Sequence, residues 1–141
     1  MAGMLAGASD VQVKALGSFG RELGMSFQVV DDVLDISANE AELGKPAGSD
    51  LRQGQTTLPV ILFLERGQNT GVVSAVLDGQ RSSEQVMAAV QAIRASGALD
   101  VAMAEARDYA ARARTILADF PDRPARHALL SLVDYVIERR A

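Results

Sequence analysis

Four polar side chains interrupt an otherwise apolar stretch: Gln28, Asp31, Asp32 and Asp35, within Met25-Ser26-Phe27-Gln28-Val29-Val30-Asp31-Asp32-Val33-Leu34-Asp35. Carboxylates three and four residues apart are neighbours on a helix, roughly 5–6 Å apart at Cβ. Ionised together in apolar surroundings they repel one another, and each also carries a desolvation cost of several kcal/mol. A divalent cation offsets both terms, and a water-lined cavity lowers the second. Oxygen donors from one or two carboxylates, completed by substrate phosphate, are the usual surroundings of magnesium. The next segment carries Lys45, which suits a phosphate as a point charge, and Asp50. The same Asp-Asp-x-x-Asp spacing also occurs on solvated helices, where the aspartates pair with arginines such as Arg21 and Arg52. Taken alone, Lys45 is an ordinary surface lysine. The apolar setting and the glycine-rich segment that follows weigh against that bland reading.

The element that must position these groups is a long helix. Ser9 followed by Gln12 is a capping-box pattern, and an apolar segment follows to about Ile36. At about 100° per residue, Leu16, Leu23, Phe27 and Leu34 share one side, Val29 and Val33 a second, and Met25 a third. A helix apolar nearly all round is expected to be buried. Gln28 and the aspartates fall within one arc of about 100°. Arg21, Gly17 and Gly24 point the same way, and the glycines suggest a close helix neighbour there. An irregular region is expected from about Ser37 to Gln55, holding Gly44, Pro46, Gly48 and Gly54; so long a loop in a compact domain is usually functional or disordered.

Further along, Thr57 is placed to cap a helix over residues 58–64, with Pro59 tolerated in its first turn. Residues 69–78 suggest a short helix. Ser82 and Gln85 form a second capping box, opening a helix that ends near Gly97. Residues 98–119 have helical spacing, with Arg107, Arg112 and Arg114 on a solvated face pairing with Glu105 and Asp108. Asp122 with Pro124 opens a last helix, in which His127 is a surface histidine and Arg139 suits the C-terminal dipole. No segment alternates convincingly as a strand. The expected fold is all-α, a helical bundle.

Composition removes several alternatives. The chain has 141 residues, one domain's worth, with 48% hydrophobic residues and a formal net charge of −4. With no basic stripe interleaved with aromatics, a nucleic-acid surface is not expected. There are no cysteines, so disulfides, thiolate nucleophiles and cysteine-ligated zinc are excluded. A single histidine, His127, leaves no material for a histidine-rich metal site or a serine–histidine triad. No apolar run reaches the ~18 residues of a membrane span, and the first residues lack a signal peptide's basic start. A cytoplasmic location is expected. Met1 to Gly7 read like the end of a helix entered midway.

The run Gly24-Met25-Ser26-Phe27-Gln28-Val29-Val30-Asp31-Asp32-Val33-Leu34-Asp35 resembles the second aspartate-rich motif of trans-isoprenyl diphosphate synthases, the polyprenyl synthetase family. Glu42-Leu43-Gly44-Lys45-Pro46, Ser49-Asp50-Leu51-Arg52-Gln53-Gly54 and Thr56-Thr57-Leu58-Pro59-Val60-Ile61 look like that family's next segments, in order. The resemblance is strong over about residues 5–66 and weaker onward to Tyr135-Val136-Ile137-Glu138-Arg139. It implies an all-α bundle of the isoprenoid synthase type, truncated at the N-terminus, with residues 1–141 as the C-terminal part of a polyprenyl synthetase domain. It further implies a homodimer and Mg²⁺ holding an allylic diphosphate between two aspartate-rich motifs. The implied reaction is condensation of that allylic diphosphate with isopentenyl diphosphate. Carried across, Asp31 is the direct magnesium ligand, and Asp32 and Asp35 complete the cluster, partly through water. Lys45 contacts the diphosphate, Gln28 orients the site and Asp50 belongs to the substrate-binding set.

Three departures qualify the resemblance. The family's first aspartate-rich motif, its Gly-Lys-Arg segment and its Lys-Thr pair have no counterpart in this sequence. Gln55 stands where many short-chain members have a second diphosphate-binding lysine, which is compatible with longer products. One aspartate cluster holds about one metal, so the chain by itself is expected to have little or no turnover. A non-catalytic partner subunit, an inactive fragment of such a synthase and a plain helical domain are the alternatives.

Overall fold

The computed structural model describes residues 1–38, 44, 46–67 and 69–139. Within them the elements are all helices: α1 (Ala2–Leu5), α2 (Asp10–Ser37), α3 (Ser49–Gln53), α4 (Leu58–Glu65), α5 (Gly71–Leu77), α6 (Ser83–Ala95), α7 (Ala98–Ala118) and α8 (Pro124–Glu138). No single helix among them is long and apolar enough to cross a membrane. The all-α class expected from the sequence is what forms. The chain divides into two compact units, residues 1–28 with 105–139, and residues 29–104.

Helix starts follow local chemistry closely. Before α2, the Gln12 N–H donates to Ser9 Oγ at 3.3 Å, and the Ser9 N–H donates to Gln12 Oε1 at 3.0 Å. Before α6 the same reciprocal pair joins Ser82 and Gln85, at 3.2 and 3.1 Å. Each box satisfies two main-chain donors that a helix start otherwise leaves unpaired. Pro59 sits in the first turn of α4, where the missing N–H costs nothing. Thr57 takes the cap position there with extended backbone, yet its hydroxyl makes no capping bond. In α8 the cap position falls to Arg123 and not to Asp122. The Asp122 carboxylate bonds the His127 imidazole instead, and both side chains are exposed.

In the first unit, Phe19 of α2 packs with Ala110, Ala113 and Leu117 of α7 and Val133 of α8. The α7 residues Ala106, Ala110 and Ala113 are at most 1% exposed. Alanine at near-turn spacing lets neighbouring helices approach closely. Ser26, completely buried, resolves its own polarity by donating its hydroxyl to the Ala106 carbonyl at 2.9 Å. The arginines of α7 reach other helices: Arg112 donates to Glu22 at 2.7 Å and lies 4.4 Å from the Tyr109 ring centroid, and Arg114 pairs with Asp134. These two arginines take acids on α2 and α8 in place of the expected Glu105 and Asp108, and Asp108 adds only a smaller electrostatic contribution at Arg112. The hydrogen bond to Glu22 is the main reason the Arg112 guanidinium titrates above its ordinary value.

In the second unit, Ile36 at the end of α2 joins Leu51 of α3, Val60 and Phe63 of α4, Val73 and Val76 of α5 and Val86, Val90 and Ile93 of α6 in one core. The irregular region expected over residues 37–55 is thus shorter than the sequence suggests, since α3 occupies Ser49–Gln53.

The expectation that α2 is buried all round is half right. Val29, Val30, Val33 and Ile36 are buried, whereas Met25 and Phe27 are each 42% exposed. A Cβ placed at Gly17 or Gly24 would meet no atom within 4 Å, so these glycines mark no close neighbour among the described residues. The last turns of α2 are enclosed by the second unit's core, while its earlier turns present one face to α7 and α8 within the first.

The His127 hydrogen bond and charge, with a smaller contribution from Arg126, hold the Asp122 carboxyl below the ordinary aspartate range. A value lowered by folding gives a contribution present above the unfolded pKa of about 3.9. That contribution is lost as pH falls through the folded value. His127→Ala should therefore raise the Asp122 titration midpoint, followed by carbon-detected NMR, and remove a contribution to stability that the unsubstituted chain holds above about pH 4 and loses as the pH falls further.

Candidate functional site

The aspartates occupy the last two turns of α2, where the helix is set into the second unit's core. Asp32 is 8% exposed and Asp35 is 4% exposed; they and Ser26 are the buried polar residues among the described residues. Asp31 is half-buried. Helical geometry puts Asp31 and Asp35 one turn apart on nearly the same line, with Asp32 about 60° to the side of Asp35. Gln28 lies one turn earlier on the same helix and is exposed.

Asp35 does more than carry charge. Its carbonyl accepts the Gly48 N–H at 2.8 Å, and its carboxylate Oδ2 accepts the Asp50 N–H at 3.1 Å. Gly48 is the N-cap of α3 and has no side chain to cap with. The Asp35 carboxylate supplies that function from another helix, satisfying a first-turn donor of α3. This brings Asp50, half-buried, alongside Asp35. Gly48 itself adopts φ 74, and an added Cβ would fall 2.6 Å from Val90 Cγ2 and 3.2 Å from Val86 Cγ1. Glycine is required there twice over, by conformation and by space.

The helix end is also held from the other side. Arg94 of α6 donates from Nε to the Ile36 carbonyl at 2.7 Å and from Nη2 to the Ala38 carbonyl at 3.0 Å. Arg94, Gly48 as a close-contact glycine and Asp35 as a cap were not legible in the sequence. The partners lie 56 and 58 residues apart for Arg94 and 15 for the Asp35–Asp50 bond, beyond any local pattern. Lys45, Glu42 and Leu43 lie outside the described residues.

The structure therefore brings Asp31, Asp32, Asp35 and Asp50 to one end of α2, with Gln28 one turn before them. Among the described residues no three acidic or histidine side chains converge into a metal cage. An all-oxygen donor set with few protein ligands is what magnesium takes when phosphate completes its coordination, so the chemistry of these residues fits that ion.

The model of the polyprenyl synthetase family matches residues 1–93. The chain belongs to the polyprenyl synthetase family. It is 40% identical over 141 residues to the nonaprenyl diphosphate synthase of Mycobacterium tuberculosis, covering 99% of this chain and 42% of that protein. It is also 40% identical over 137 residues to component 2 of the heptaprenyl diphosphate synthase of Geobacillus stearothermophilus, covering 96% of this chain and 42% of that one. Among solved structures, a decaprenyl diphosphate synthase from Rhodobacter capsulatus superimposes with a TM-score of 0.86 at 34% identity, over 99% of this chain and 44% of that one. A polyprenyl synthase from Caulobacter crescentus, complexed with calcium and isoprenyl diphosphate, gives 0.84 at 37% identity, over 94% and 42%. The chain thus spans less than half the length of these relatives, aligning with their C-terminal half.

Three substitutions test the structural role of this end of α2. Asp35→Ala removes the acceptor for α3 and should lower unfolding stability in urea by about 1–2 kcal/mol, whereas Asp35→Asn keeps an acceptor and should cost less than about 1 kcal/mol. Gly48→Ala combines a left-handed backbone with overpacking against Val90 and should cost about 2–4 kcal/mol in the same measurement.

Proposed function

We propose that this chain supplies the second aspartate-rich, magnesium–diphosphate site of a trans-prenyltransferase. The enzyme as a whole would condense an allylic diphosphate with isopentenyl diphosphate to give a longer polyprenyl diphosphate. The observation that carries this reading is the placement of Asp32 and Asp35, buried, and Asp31, half-buried, at the end of an apolar helix. Ordinary folding does not favour charge there, and a bound cation bridged to a diphosphate offsets its cost. Family membership and the names of the relatives support the same reaction.

In this reading Asp31 is the direct ligand of Mg²⁺, and Asp32 and Asp35 complete the cluster, partly through water. Lys45 contacts the allylic diphosphate as a point charge, and Gln28 and Asp50 line its surroundings. When bound, the metal supplies charge stabilisation to the departing diphosphate. Asp35 is already committed to the α3 main chain through Oδ2, which suits an indirect part in metal binding better than the leading one. A cytoplasmic location and a homodimeric assembly belong to the same proposal.

A second reading, a subunit that works only with a partner, draws on two specific observations. One relative is named component 2 of its synthase. Midway along α2, Met25 and Phe27 are exposed, and Gly17 and Gly24 leave open space beside the helix. Both readings share the aspartate site and differ in what completes it.

A melting experiment with Mg²⁺ and inorganic pyrophosphate tests the shared site. The two together should raise the melting temperature, by linkage, and Asp31→Ala should abolish the rise. An equal response in the variant would refute the aspartate site. In a diphosphate-release assay with allylic and isopentenyl diphosphates, the chain alone should show no turnover above background, and robust turnover would refute the need for a completing half.

A further inference from the structure

We propose that Arg94 is a positioning residue for the aspartate-bearing end of α2, an inference that rests on the proposed metal–diphosphate site. The last carbonyls of a helix have no partner within it. At the end of α2, the carbonyls of Ile36 and Ala38 each receive one N–H of the Arg94 guanidinium, at 2.7 and 3.0 Å. A planar fork that engages two acceptors fixes a direction as well as a distance, which a lysine ammonium does not. Its positive charge also opposes the negative end of the α2 dipole.

The same helix that carries Arg94 also holds the returning chain. Gly48 lies against Val90 and Val86 of α6 so closely that no Cβ fits. Val90 and Arg94 are one turn apart, about 6 Å along α6. One face of α6 therefore fixes both the point where the chain leaves α2 and the point where it comes back. Asp35 is tied to that return by its carbonyl, to Gly48, and by its carboxylate, to Asp50. Arg94 acts on the carboxylates through this last turn. Releasing it frees the turn that aims Asp35 and, one turn earlier, Asp31 and Asp32.

The same unit provides a control for loss of stability alone: Arg66, the C-cap of α4, also donates to a main-chain carbonyl, that of Ser96, the C-cap of α6. Titration calorimetry of the full chain with Mg²⁺ and inorganic pyrophosphate tests the inference. Arg94→Ala should weaken binding by about tenfold or more, the usual cost of losing a group that orients metal ligands. Arg94→Lys should restore only part of the affinity, and Arg66→Ala should lower the melting temperature while leaving affinity within about twofold of the unsubstituted chain, well short of that orienting-group cost. If Arg94→Ala does not fold, Arg94→Lys decides. Unchanged affinity in the folded Arg94 variant, with binding abolished by Asp31→Ala, overturns the role of Arg94 and leaves the aspartate site standing. Undetectable binding by the unsubstituted chain, or binding retained in Asp31→Ala, overturns the site and this inference together.

Discussion

Negative charge held at the end of an apolar rod is the constraint from which the rest of this structure follows. Asp32 and Asp35 sit among Val29, Val30, Val33 and Ile36, all buried, where an uncompensated carboxylate is expensive. Part of the compensation is internal. The Asp35 carboxylate takes a main-chain donor from the start of α3, while its carbonyl takes the Gly48 N–H. One residue thus ends a long helix, starts a short one and contributes to a charged cluster. In the proposed site, the division of labour between Asp31 and Asp35 rests on this arrangement: the residue that anchors the chain has less freedom to follow a metal.

Much of this was legible in the residues themselves, and the misses share a cause. The Ser9–Gln12 and Ser82–Gln85 boxes are local chemistry, and both formed. The spacing of Asp31, Asp32 and Asp35 on a single helix is equally local. By contrast, α3 was hidden because its cap comes from Asp35, and no pattern within Ser49–Gln53 announces that help. Asp122 looked like the opening residue of α8 but is held by His127, leaving the cap position to Arg123. The α7 arginines chose Glu22 and Asp134 over neighbours on their own helix, a choice set by packing between helices. Periodicity also overstated the burial of α2, since it reports which residues are apolar and not what stands opposite them.

That last difference bears on how the chain relates to its family. Relatives such as the Mycobacterium tuberculosis nonaprenyl diphosphate synthase are more than twice as long as the portion matched here. Met25 and Phe27 are exposed midway along α2, on different faces, whereas Val29, Val30, Val33 and Ile36 nearer its end are buried. Within this chain, burial along α2 rises toward the aspartates.

The alanine series of α7 gives α2 a mechanical property. Ser26 donates its hydroxyl to the carbonyl of Ala106 itself, so the side chain that packs there is also hydrogen-bonded there. A bulkier side chain in place of one of those alanines would act as a wedge, prising apart helices of the first unit whose buried contact leaves no room for it.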